Sequence, residues 1–336
     1  MVGRREGRTH ALRSDHALLT RFGFPEELGR GSLDGVEGDH RWIRVLPPVL
    51  LCAGLWGSAF PAIKTVYGLW EEAGIDAGPI EFWWFAGVRF VLAGTLLLIV
   101  AKRPVREFRA TPKLRLLGFS LTQTFGQYLF FYLAIAVASG SLTGLLTATG
   151  SFWWMVLAPL MAGAPRPSGM QWVAIAIGGV GVTLATAAPG AGAGQPVLGA
   201  TLMVLATGLG AVGLIQFGRM RETIGARAAT GYSLLGGGLL LLIAGAPAFV
   251  EAGRLMTPGV MLLTLWLAVV SASAFGLWNH LSTKHPVPLL AGYRFLIPLA
   301  GMTESLLLLE GESAGWGLLA GAALVVGSLV MAQRVR

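Results

Sequence analysis

Three ionisable side chains sit inside long apolar runs: Lys64 in "WGSAFPAIK", Arg89 in "EFWWFAGVRFVLAGTLLLIV" and Glu304 in "IPLAGMTESLLLL". A lone charge at the centre of a membrane helix costs at least about 2.5 kcal/mol, so each needs a partner or a polar surrounding. The chemistry open to such groups is the handling of charge: an ion pair, contact with a charged substrate, or uptake and release of a proton. Glu304 is the acid well inside an apolar run and lies on the same half as both bases. Its pairing with Arg89 or Lys64 is therefore expected, the alternative use of such a pair being a permanent bridge that locks helices. Lys64 lies about 8 Å deep at the helical rise, within range of snorkelling to the interface.

Polar uncharged groups repeat at helical spacing. Ser120, Gln123, Thr124, Gln127, Tyr128 and Tyr132 share one broad face, and Thr143, Thr147, Gly150 and Trp154 form a second stripe. An unpaired amide facing hydrocarbon costs several kcal/mol, so Gln123 and Gln127 must face protein or water. With Trp56, Ser58, Gln216, Trp278 and Asn279 they are candidates to line a cavity for a small amphiphilic molecule; interhelical bonding is the competing use. Trp83 and Trp84 read as lipid-interface anchors. Pro61 and Pro298 cannot donate to the carbonyls of Gly57 and Arg294, which predicts kinks and candidate hinges there.

Covalent and metal chemistry is thinly represented. Of five His, three fall before residue 45, leaving His280 and His285 with no neighbouring acid or Cys to build a triad or metal site. There is no GxxxxGK phosphate loop, so ATP is not expected as a direct power source. No cofactor and no metal are expected. The single Cys52 excludes an intrachain disulfide. A net charge of +8 raises nucleic acid as a partner, but the bases flank apolar segments instead of forming a stripe with interleaved aromatics.

The elements that must position these groups follow from hydropathy. A mean of +0.67 over 336 residues, with 54% hydrophobic and 12% charged residues, describes an all-α integral membrane protein. A span needs roughly 20 apolar residues. Ten segments qualify, near 46–69, 80–101, 114–137, 141–163, 170–188, 198–217, 229–246, 259–281, 288–308 and 314–332. Alternate loops then carry the bases: Lys102, Arg103, Arg106, Arg109, Lys113 and Arg115 after the second span, and Arg219, Arg221 and Arg227 after the sixth. The opposite loops hold Arg254 and six acids, which predicts both termini in the cytoplasm. Residues 1–44 carry 8 Lys+Arg and 7 Asp+Glu and read as a disordered cytoplasmic tail. Ten spans divide into repeats at 45–190 and 191–336, and an odd-numbered unit duplicated in tandem inserts its second copy upside down. Small residues four apart, Ala174 with Gly178 and Gly317 with Gly321, predict close helix packing in the last span of each half.

In order along the chain, "LWGSAFPAIK", "VRFVLAGTLLL", "SLTGLLTATGSFWW", "GGVGV" and "LIPLAGMTESLLLLEGESAGWGLLAGAALVVG" resemble the EamA-type ten-helix members of the drug/metabolite transporter superfamily, over about residues 49–335. The resemblance implies two inverted five-helix repeats in the cytoplasmic membrane. It also implies a secondary carrier exporting small organic metabolites such as amino acids or their derivatives, with protons as candidate coupling ion. One departure is "AGAPRP", which places Pro165 where such proteins often carry an acid; "LEGES" keeps Glu312 at the matching place in the second half. A polar-lined channel and a membrane-embedded enzyme are the rival classes.

Overall fold

The computed structural model describes residues 38–187, 194–284, 290 and 293–334. Two units are distinguished, Met1–Pro47 and Pro48–Arg336. The described part of the first is helical, and residues 1–37 of the expected tail lie outside the described residues. The second unit holds all the candidate residues.

Every regular element among the described residues is a helix. Eight are long and apolar enough to cross a membrane: Val45–Glu72, Pro79–Ile99, Gly140–Ala162, Gly169–Ala187, Pro196–Gly218, Ala226–Ala244, Pro258–Trp278 and Trp316–Gln333. The chain is a multi-pass α-helical membrane protein. These eight match expected segments to within a few residues, because an apolar run closed by Gly and Pro leaves the backbone little choice in lipid. The third and ninth expected segments differ. The third runs as α5 (Lys113–Ser120), a π-helical stretch (Leu121–Gly126) and α6 (Gln127–Val137). The ninth is a 13-residue helix, α14 (Leu296–Leu308).

The remaining helices are α1 (Gly38–Gly57), α2 (Ala59–Glu72), α3 (Pro79–Ile99), α4 (Pro104–Ala110), α7 (Gly140–Leu146), α8 (Thr149–Ala162), α9 (Gly169–Ala187), α10 (Pro196–Gly218), α11 (Ala226–Ala244), α12 (Ala252–Leu255), α13 (Pro258–Lys284) and α15 (Trp316–Arg334). The first span thus breaks at Ser58 into α1 and α2, as Pro61 requires by withholding the bond to Gly57. A second break, between α7 and α8, contains no proline. There Thr147 and Ala148 donate back three residues, to Gly144 and Leu145 (3.3 and 3.1 Å). The hydroxyls of Thr147 and Thr149 satisfy the carbonyls of Gly144 and Leu146, both at 2.7 Å. Pro298 lies in the first turn of α14, where its missing N–H costs nothing, so the mid-helix kink expected there does not form.

Three helix pairs pack backbone to backbone through glycine. On α3 and α11, a Cβ added to Gly94 would stand 2.5 Å from Leu235 N, and one on Gly238 2.9 Å from Val91 N. On α9 and α15, Gly321 lies against the carbonyl of Gly181 (2.5 Å from its would-be Cβ); on α7 and α14, Gly144 lies against Gly301 (2.7 Å). Each pair is antiparallel. Lipid removes the hydrophobic drive between helices, so close van der Waals contact must supply the association.

Among the described residues, base-rich and acid-rich loops make separate contacts. After α3, Glu107 accepts the Gly225 N–H at 2.8 Å and Thr111 meets Thr223 at 3.4 Å, joining two base-rich loops. Apart from these, Trp70 Nε1 donates to Leu255 O (2.9 Å), and Glu312 takes the N–H groups of Gly140 (2.5 Å) and Ser141 (2.8 Å).

Candidate functional site

Arg89 is 3% exposed, on the face of α3 turned to the bundle interior. Nη1 donates to Tyr132 Oη at 2.9 Å and Nη2 to Ser271 Oγ at 3.0 Å, while buried Nε has no partner. The guanidinium also stands over the Phe90 ring, 4.8 Å from its centroid. Among the described residues the ion pair found is Arg254–Glu251, so the expected pairing of Arg89 or Lys64 with Glu304 is not made. The reason is packing: α14 carries Glu304 against the glycine face of α1, its Oε1 2.6 Å from where a Gly57 Cβ would sit. Lys64 is half-buried on α2.

Between Arg89 and the Glu304 region lies a run of aromatic rings. Phe90 meets Tyr128 (4.2 Å between centroids), Tyr128 meets Phe131 (5.2 Å), and Phe131 meets Phe60 (5.4 Å). Phe60 in turn touches Gly301 on α14. The i, i+4 spacing of Tyr128 and Tyr132 on α6 puts both phenols beside α3.

The amides do face protein, by a different route from a shared cavity. Gln123 Nε2 reaches Gln127 Oε1 at 3.5 Å, and the two pack on Gly213 and Gly210 of α10, each amide oxygen 2.5 Å from the would-be Cβ. Gln123 Oε1 is buried without a partner. Gln216, on the same helix, accepts from Thr122 Oγ1 at 3.2 Å. Trp56 packs on Phe275 and Trp278 of α13 (5.3 and 5.8 Å). Ser58 bonds the carbonyl of Leu55 at 2.9 Å and accepts from Trp266 Nε1 at 3.3 Å. Thr147 sits at the α7–α8 break. The Asn279 side chain lies outside the described residues.

Two placements reverse the expectation from sequence. Trp154 is 42% exposed on the outside of α8, whereas its neighbour Trp153 turns inward and donates to Val204 O at 2.9 Å. Trp83 and Trp84, expected at the lipid interface, are inside: Trp84 is 6% exposed and Trp83 Nε1 donates to Leu129 O at 3.1 Å. The candidate residues therefore fall into separate clusters. A cavity of about 440 Å³ lies elsewhere, on the acidic-loop face, lined by Tyr67, Glu71, Ile75, Asp76, Phe82 and Ala136 among others. Tyr67 and Ser271 carry no signal in the sequence as site residues, and the one signal for Glu312 is its place in "LEGES".

No protein-family model matches the chain. It is 27% identical over 301 residues to a probable amino-acid metabolite efflux pump of Salmonella typhimurium (strain LT2), covering 85% of this chain and 95% of that protein. That relative is named as a transporter, not an enzyme. A solved structure described only as the crystal structure of a protein is similar with a TM-score of 0.52 and 16% identity, over 83% of this chain and 96% of that one. At that identity the likeness is one of fold alone.

Proposed function

We propose that this protein is a secondary efflux carrier for small organic metabolites, amino acids or their derivatives among them. The observation that carries the reading is the similarity to the efflux pump along 95% of that protein's length, in a chain with at least eight apolar helices of spanning length. A buried Arg89 and a Glu304 without ion-pair partners among the described residues support it, since groups free to change partners are what a carrier needs and a scaffold does not.

The finer reading is a ten-span protein in the cytoplasmic membrane, with 113–137 and the segment ending at Leu308 as its third and ninth spans. Loop parity supports it, because the base-rich and acid-rich loops make separate contacts among the described residues. The glycine-packed pairs α3–α11, α7–α14 and α9–α15 each join a span to the one five later, running antiparallel, which supports two inverted repeats. Rocking of one repeat against the other would use the breaks at Ser58 and Thr147–Ala148 as flexing points, with Pro61 maintaining the first. Glu304, set in α14 against Gly57 of α1, is the proposed proton-coupling acid.

The test is counterflow in proteoliposomes with a panel of radiolabelled amino acids. Saturable flux stimulated by unlabelled substrate on the far side is expected. Flux linear in concentration would indicate a channel and overturn the carrier reading.

A further inference from the structure

Resting on that carrier reading, we infer that Arg89 anchors the carboxylate of a zwitterionic substrate of amino-acid type, reached through the cavity walled by Tyr67, Glu71 and Asp76. A guanidinium has five N–H groups in a planar fork and is suited to bidentate pairing with carboxylate. Here it is buried, without an ion-pair partner among the described residues, its hydrogen bonds there made to two neutral hydroxyls beside the Phe90 ring. The edge a carboxylate would take is formed by Nε and Nη2. Nε is empty-handed, and Nη2 is held by the Ser271 hydroxyl, an exchangeable neutral acceptor. Tyr132 secures the third corner through Nη1, so the fork is already oriented.

Two hydrogen-bonded tyrosines, Tyr67 and Tyr132, separate the cavity from Arg89. Tyr67 lines it and donates to the carbonyl of Tyr132 at 3.2 Å, and the Tyr132 hydroxyl in turn holds Arg89. Glu71 and Asp76 at the cavity wall repel a net anion and attract an ammonium group, whereas Arg89 beneath demands a carboxylate. A molecule carrying both groups satisfies both; a dicarboxylate or a simple amine satisfies one. Phe82, Ile75 and Ala136 leave the rest of the wall apolar.

The experiment measures binding to the full-length detergent-purified protein by tryptophan fluorescence, with neutral L-amino acids and their methyl esters as paired probes. In wild type the free acid of at least one pair should bind at least about tenfold tighter than its ester, the loss of a charge-assisted bidentate contact. Arg89→Gln should erase that discrimination and Arg89→Lys retain part of it. Since Arg89→Gln leaves the Tyr132 and Ser271 hydroxyls unpaired and is at risk of misfolding, Ser271→Asp provides the second arm. It places a carboxylate opposite Nη2, should fold, and should abolish acid binding by occupying the fork. Equal affinity for acid and ester in every wild-type pair, including no binding of either, overturns the assignment. So does a folded Ser271→Asp protein that binds the acid as wild type does. Saturable counterflow that treats acid and ester alike would sink the Arg89 assignment while leaving the carrier reading intact. Acid-selective, Arg89-dependent binding without saturable flux would do the reverse.

Discussion

At the level of single residues, the decisive quantity is where a charge finds its neutraliser. Glu312 does so across the molecule, accepting two N–H groups at the start of α7 where the helix end carries partial positive charge. Glu312→Ala should cost about 1–2 kcal/mol, read as a lower thermal unfolding midpoint in detergent, and Glu312→Gln should recover part of it. Glu304 has no ion-pair partner among the described residues and is the proposed coupling group. Glu304→Gln should therefore leave counterflow, which needs no net proton movement, while abolishing accumulation driven by a pH gradient. Equal loss of both would assign Glu304 to substrate binding or folding instead. That Arg89 had to be inside was legible from its position in an apolar run. That its partners are Tyr132 and Ser271 was not, because residues 43 and 182 positions away become neighbours only when α3, α6 and α13 assemble.

At the level of helices, regularity and irregularity have different origins. A Cβ added to Gly94 would stand 2.5 Å from a backbone atom of α11, with no flexible side chain to move aside. Gly94→Val should destabilise by more than about 3 kcal/mol and cut the yield of monodisperse protein. Gly179, on α9 beside the tightly packed Gly178, has nothing within 4 Å of its would-be Cβ. Gly179→Ala should be neutral or stabilising by up to about 1 kcal/mol, from helix propensity alone. Pro61→Ala restores a donor to the Gly57 carbonyl and should raise stability by about 1 kcal/mol while slowing counterflow, if the break at Ser58 flexes during transport. The first break was readable from Pro61. The π-helical stretch and the α7–α8 break were not, since both depend on hydroxyls and amides finding local acceptors. Nor was the harmless position of Pro298, because a helix start is set by the chain before it.

For the molecule as a whole, the two loop faces make a test of topology. In a Cys52→Ser background, Cys introduced at Glu72, Gly253 or Glu310 should react with a membrane-impermeant thiol reagent on intact cells. Cys at Arg109, Arg166 or Arg221 should react only after permeabilisation. Reactivity of a mixed set from outside would break the parity on which the ten-span reading rests. Cys52 itself is buried and bonds a backbone carbonyl of α13, so serine preserves its donor.

Composition and hydropathy by themselves determined that this chain is helical, lies in a membrane and keeps its amides off lipid, because hydrocarbon imposes those outcomes on any sequence with unsatisfied polar groups. They also located most of the spans, since Gly and Pro end helices locally. Tertiary structure alone decided who meets whom: Trp153 inward in place of Trp154, Trp84 in the core, the glutamines on α10, and Glu304 apart from Arg89. Those choices depend on helix rotation and close approach at glycine, which are set by the neighbouring surface and carry no local signature in the chain.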